Sequence, residues 1–374
     1  MTVWWITLAS SYLLCLIAKA TGKIVYRDGQ YREQYNQFFT FIAMVFLILV
    51  AGLRSGVGDT SAYKHSLDRL PNSFGSYFSK LDFKGDWGFN FVSMIIKTWI
   101  KDSPEVFIFI ISMITVGCIF IAFYKYTELL EFSIFLFITT GCYLVSMNGV
   151  RQYLASAILF LSFPLIYKKN WKLYFVIVLI CSTFHKSALL FIPLYFVVDQ
   201  PAWGKVTKWI LFTGIFLFVT YPITGPILAN ILGETQYGNY KQALMSTGAG
   251  ANMIRVIVMA VPVIFSYIGR DYVKDKEKYY NIVVNFSVIN LIAILLATKF
   301  WIYARFNMYF SLYMIILLTW IIRYMFYGRN RKIMYLMCIG LYTVYYYYEM
   351  HISLGYGPWY HHFIQAVGVV SNNL

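Results

Sequence analysis

Apolar runs long enough to cross a bilayer recur from one end of this 374-residue chain to the other. No other feature limits the fold as much. A helix needs about 20 mostly apolar residues to cross hydrocarbon, and in lipid each backbone polar group must be satisfied within the spanning structure. The chain is 60% hydrophobic and 20% aromatic, with 13% charged residues, too little polar surface for a soluble domain of this length. The fold class is therefore all-α, a polytopic helical membrane protein. Twelve spans are expected, near 3–18, 38–53, 105–123, 131–148, 150–167, 171–184, 186–198, 208–228, 252–269, 280–298, 306–322 and 333–350. Together they make a single integral membrane domain, 1–374, with no soluble domain, solenoid repeat or low-complexity tail.

Two regions depart from plain spans. The sixth and seventh runs are short and share His185 at their junction, which suits a hairpin that does not fully cross. Residues 54–104 form a long external segment. Within it, Phe89–Ile100 is apolar but short and carries Lys97, as expected of an interfacial or re-entrant helix. The first apolar stretch, Val3–Ala18, has no basic residue before it, whereas Lys19, Lys23, Arg27 and Arg32 follow. That polarity marks a retained helix beginning outside, not a cleaved signal.

Charge supports the threading. The cytoplasmic connections Lys19–Arg32, Tyr124–Leu130, Lys168–Lys172, Asp199–Lys208, Arg270–Lys278 and Arg323–Lys332 hold 18 of the 31 Lys and Arg residues, as the positive-inside bias requires. The net charge of +15 is scattered among apolar segments. It fits anionic lipid and sidedness better than nucleic acid, which is not an expected partner. Cys15, Cys118, Cys142, Cys181 and Cys338 all lie inside apolar runs without metal-like spacing and read as small buried hydrophobes.

In this threading four ionisable residues gather on the extracytoplasmic face: Arg54, Arg151, His185 and Arg305. Such residues at helix mouths are functional candidates, because their desolvation must be offset by a partner or a ligand. No acidic partner is evident, which points to an anionic substrate. Arg151 and Arg305 each open a descending helix, where unpaired N–H groups favour an anion, and Asn148 is placed to N-cap the first of these helices. Guanidinium groups suit a diphosphate; the plainer reading is that they snorkel to lipid headgroups. His185 is a general base or acid, a phosphate ligand when protonated, or a packing hydrogen-bonder, and Lys186 and Ser187 beside it add donors. Asp59, in the glycine-rich loop after Arg54, is either the structural partner of Arg54 or a base for a sugar hydroxyl. No HExxH, P-loop, GxSxG or dinucleotide fingerprint occurs, so metalloprotease, ATPase and serine-hydrolase readings lack support.

Three motifs in order carry a resemblance. They are Arg54-x-x-x-Gly58-Asp59-x-x-x-Tyr63, then Asn148-x-x-Arg151-Gln152-x-x-Ala155, then Phe184-His185-Lys186-Ser187-Ala188. With Arg305 and Tyr309 in a late helix, the chain resembles the EpsG-like branch of the Wzy-type polysaccharide polymerases. The resemblance is best over residues 50–200. It implies an extracytoplasmic glycosyltransferase of broadly GT-C character in the bacterial cell membrane. Such an enzyme joins polyprenyl-diphosphate-linked oligosaccharide repeats into exopolysaccharide, capsule or O-antigen. It implies a lipid-linked glycan donor and acceptor, membrane lipid, and a chain-length regulator and flippase of the same pathway as partners.

The chemistry agrees with that implication. Loss of polyprenyl diphosphate builds negative charge that preorganised arginines stabilise; Arg151 and Arg305 are the candidates. His185 or Asp59 would act as base for the acceptor hydroxyl. Arg54, Tyr63, Gln152, Lys186 and Tyr309 are the expected substrate-binding residues. No cofactor and no metal is expected, because the donor is already activated. Tyr345–Tyr348 and Trp359 could stack on sugars but read better as an interfacial aromatic belt. A ligase passing glycan to another acceptor, a flippase or exporter of lipid-linked sugars, and a multispan acyltransferase remain as alternatives.

Overall fold

A computed structural model describes residues 2–27, 30–79, 82–83, 85–233 and 250–353; Trp359 lies outside them. In chain order the elements are α1 (Thr2–Ala20), the hairpin β1 (Lys23–Arg27) and β2 (Gln30–Gln34), α2 (Gln37–Gly52), α3 (Thr60–Asp68), α4 (Phe74–Ser79), α5 (Trp87–Ile95), α6 (Pro104–Tyr126), α7 (Leu130–Thr139), the single turn α8 (Cys142–Val145) and α9 (Val150–Ser162). They continue through α10 (Pro164–Tyr167), α11 (Trp171–Phe184), α12 (Phe191–Val198), α13 (Lys205–Val219), α14 (Tyr221–Gly233), α15 (Met253–Ile268), α16 (Arg270–Val273), α17 (Tyr280–Ala297), α18 (Ala304–Tyr324) and α19 (Gly328–Tyr348).

Apart from the β1–β2 hairpin the described elements are helical, and helix falls on each of the twelve expected segments. Among the described residues, five helices are long and apolar enough to cross a membrane: α1, α6, the α9–α10 stretch, α17 and α18 with its preceding turn. A sixth is reached if α13 and α14, bent by 89°, count as one span. Local signals set several starts. Asn36 Oδ1 accepts from Phe38 N at 3.0 Å ahead of α2; Ser103 caps α6, with Pro104 and Glu105 in its first turn. The expected span 131–148 is interrupted at Gly141, whose φ of 81° ends α7.

The connection after α1 contains a hairpin that was not expected from the sequence. Lys23 pairs with Gln34 and Arg27 with Gln30, and the Tyr26 and Tyr31 rings meet across the strands at 5.2 Å. The β-branched and aromatic residues 24–26 favour an extended chain there.

The chain divides into two compact units: residues 1–162, 172–189 and 326–374, and residues 163–171 and 190–325. In the first unit α2 packs against α1 and α6, and α6 against α9. A Cβ on Gly52 would come within 2.6 Å of the Phe109 ring, so α2 and α6 meet in close contact. Tyr63, Leu67, Phe89, Ile96, Phe107, Ile108, Ile111, Val150 and Leu154 form one buried cluster. Segment 89–100 is helical, ending in a π-helical turn at Ile96–Ile100. Its buried Lys97 donates to Leu67 O at 3.3 Å and Leu70 O at 2.9 Å, closing the end of α3 where carbonyls lack helical partners. Glu131 is buried, accepting from Lys19 at 2.7 Å and from the Tyr35 hydroxyl.

In the second unit α17 and α18 form the central pair, with Phe286 stacked on Tyr313 at 4.3 Å. Asn285 donates to Val198 O at 3.0 Å and Gln200 O at 2.8 Å while accepting from Thr207 at 2.7 Å. A buried amide is tolerated there because its partners are present.

Candidate active site

The site is built where α5, α9 and α11 of the first unit converge. Arg151 is the second residue of α9, so its side chain emerges from the first turn as expected. Its Nη1 donates to Asp86 Oδ2 at 2.9 Å. Asp86 directly precedes α5 and does not cap that helix with its own side chain, which leaves the carboxylate for Arg151. His185 sits where α11 breaks into a tighter 3-10 turn, Lys186–Leu190. Its Nδ1 lies 3.7 Å from the same Asp86 oxygen, too far for a hydrogen bond. His185 Nδ1 and Arg151 Nε are buried atoms without a hydrogen-bond partner.

The guanidinium of Arg151 also lies over two rings, Tyr63 at 5.5 Å and Phe89 at 5.6 Å. Burial pushes the Tyr63 phenol up, although Arg151 beside it works the other way. For Asp86, burial works to raise the carboxyl, but His185 and Arg151 together outweigh it and hold the group below the usual carboxylate range. Asp86 is therefore ionised at neutral pH.

Close backbone approach makes this arrangement possible. A Cβ on Gly88 would overlap Thr183, two residues before His185, so only glycine lets the start of α5 lie against the end of α11. Across the site, Asp59 Oδ2 accepts from Gly149 N at 3.1 Å, and Gly149 O receives the first helical bond of α9, from Tyr153 N at 3.0 Å. Gly58, at φ 56°, brings this loop against Asn148. The expected cap is thus corrected: Gly149 occupies the cap position, Asp59 supplies the carboxylate, and Asn148 ends the turn before it.

Arg54 does not make the pairing with Asp59 that was one of the two expectations for that carboxylate. It is 9% exposed and donates to Thr60 Oγ1 at 2.9 Å, Ala51 O at 2.5 Å and Ser112 Oγ at 2.6 Å. All three acceptors are neutral, and Asp59 is not among them. Burial pulls its pKa down to about 10, so it remains charged at neutral pH and fastens the end of α2 to α3 and α6. Gln152 is buried in α9 and Lys186 opens the 3-10 turn.

In the second unit Arg305 is the second residue of α18, its guanidinium 5.6 Å from the Trp301 ring. Tyr309 is 1% exposed and packs on Phe191 at 5.3 Å, so its ring lies in the core of this unit. Tyr345 and Tyr346 are buried and only Tyr347 of that run is well exposed.

The cations of this site do have an acidic partner, contrary to expectation. Asp86 carries a weak sequence signal, an acidic residue just ahead of an apolar helix, but nothing in the spacing ties it to Arg151, 65 positions away.

A helical fold with several helices long and apolar enough to cross a membrane, carrying a cluster in which a guanidinium and an imidazole face one carboxylate at a helix start, is the pattern of a helical membrane protein. The EpsG family model matches residues 37–363, and the chain belongs to the EpsG family. No curated protein and no solved structure matches it.

Proposed function

We propose that this protein is a polysaccharide polymerase. It acts as a metal-independent glycosyltransferase that joins polyprenyl-diphosphate-linked oligosaccharide repeats at the extracytoplasmic face of a bacterial cell membrane. Family membership supports the polymerase reading. The observation that carries the chemistry is that Arg151 and His185, from separate helices, face one anionic position. A glycosyl diphosphate donor needs a cation at its leaving group and a base near its anomeric carbon. In this reading Arg151 stabilises the departing diphosphate, helped by its place in the first turn of α9, and His185 takes the acceptor hydroxyl proton. Arg305 is the other arginine of the proposal, resting on the resemblance and on its own place at a helix start. Asp59, engaged with Gly149, is assigned to holding α9 rather than to proton transfer. The twelve-span, GT-C-like architecture belongs to the same proposal, with segment 89–100 lying at the interface, where exposed Trp99 in its π-helical turn suits headgroup depth.

Purified protein in nanodiscs, given polyprenyl-diphosphate-linked repeats and a chelator, should yield a ladder of products. Arg151→Lys should cut turnover on the order of 100- to 1000-fold at normal protein level, because lysine keeps the charge but loses the planar fork. A single transfer to an unrelated acceptor would identify a ligase, and sugar movement without new bonds an exporter. Activity that returns only with magnesium would sink the metal-independent mechanism.

A further inference from the structure

Asp86 faces both Arg151 and His185, and the reaction just proposed leaves it without a role. Its placement conflicts with simple anion capture: an arginine already paired at 2.9 Å is not open to a phosphate until that pairing gives way. The pairing is one-pronged. Nη1 is engaged, while Nε is buried and has no hydrogen-bond partner. A diphosphate can offer a guanidinium two oxygens and more charge than one carboxylate oxygen, so it is the stronger partner. The Tyr63 and Phe89 rings at 5.5 and 5.6 Å would hold the guanidinium in place while it changes partners. On the other side, Nδ1 of His185 is also buried without a partner and stands 3.7 Å from the same Asp86 oxygen. A small turn of the carboxylate would make that a hydrogen bond.

We propose that Asp86 is a positioning residue that couples donor binding to the base, holding Arg151 before the donor arrives and His185 once the donor diphosphate has taken the guanidinium. This rests on the polymerase reading. With Asp86 on Nδ1–H, the His185 ring is fixed with Nε2 toward the acceptor. The acceptor hydroxyl proton passes to Nε2 as its oxygen bonds the anomeric carbon. The bond from that carbon to the diphosphate breaks, its electron pair leaving on the phosphate. The imidazolium then faces Asp86 and the diphosphate faces Arg151. When polyprenyl diphosphate departs, His185 returns its proton to water and the Asp86–Arg151 contact re-forms. The proton-accepting arrangement is thus assembled only when a leaving group is bound.

The test compares wild type with Asp86→Asn and Asp86→Glu in nanodiscs. It reads the affinity for sugar-free polyprenyl diphosphate, kcat for polymer formation and thermal unfolding. In Asp86→Asn, Arg151 no longer has a carboxylate competitor, so affinity should hold or tighten several-fold. At the same time kcat should fall on the order of 100-fold or more, the scale of a lost general base. Asp86→Glu should keep the affinity and recover part of kcat; it carries the test alone if the Asn variant does not fold. Affinity and kcat falling together with thermal stability would reduce Asp86 to a structural tie and overturn the coupling, as would unchanged kcat in Asp86→Asn. Wild type that binds polyprenyl diphosphate but makes no polymer would sink the polymerase reading. The affinity comparison would then decide the guanidinium exchange, with weaker binding in Asp86→Asn rejecting it. Wild type that neither polymerises nor binds the lipid diphosphate would sink both.

Discussion

Arg54 and Arg151 carry the same guanidinium in the same unit and do different work, because their partners differ. Arg54 is buried against three neutral oxygens from α2, α3 and α6, a set that leaves it little to offer a ligand. Arg54→Gln should therefore destabilise the protein by about 1–3 kcal/mol through orphaned acceptors, read as a lower unfolding temperature, with little change in donor KM for the protein that remains folded. A large KM change at normal stability would return Arg54 to the binding role expected from its motif. Asp86 makes a pH prediction. Its native pKa lies below the unfolded value of about 3.9, so its stabilising contribution is fully present above that value and is lost as pH falls through the native pKa. The difference in unfolding temperature between wild type and Asp86→Asn should persist from pH 7 to 5 and shrink below about pH 4. A difference already fading at pH 6 would mean that another group controls the contact. The residue types and motif order were legible in the sequence, but the pairing was not. An arginine and an aspartate 65 positions apart meet only because two helices cross, and no local pattern encodes that.

At the scale of elements, the site depends on how closely α5 can approach α11. Gly88 is the contact point, and any side chain there overlaps Thr183. Gly88→Ala should push α5 outward, costing about 1–3 kcal/mol in stability from overpacking and lengthening the path from Asp86 to His185. Gly88→Ala combined with Thr183→Gly should recover both the unfolding temperature and turnover. Failure of that double variant to recover either would show that Gly88 acts otherwise than by clearance. Lys97 contributes to the same framework by closing the end of α3 through Leu67 and Leu70 carbonyls. Helix positions were legible because each run is continuously apolar, and five of the helices are long enough to cross a membrane. The hairpin at 23–34 was not, because its short alternation is set among charges that also suit a connecting loop.

For the whole molecule, the charge bias of the connections predicts which side each one faces. Cysteines introduced at positions 83 and 149 should react with an impermeant thiol reagent on intact cells, and a cysteine at position 24 only after permeabilisation. The reverse pattern would invert the threading and move the site to the cytoplasm. The sequence by itself determined the class: apolar runs in a chain with 13% charged residues leave helices in lipid as the one solution that satisfies the backbone. It also determined that Arg151 and Arg305 would open helices, since charge gathers where apolar runs begin. Only the tertiary structure decided which ionisable groups meet. It gave Arg54 to neutral oxygens, Asp59 to the start of α9, and Asp86 to Arg151 and His185. Helix formation is a local matter of side-chain period and solvent, whereas ion pairing across helices depends on crossing geometry and on contacts such as Gly88 against Thr183, which are fixed only when the elements pack.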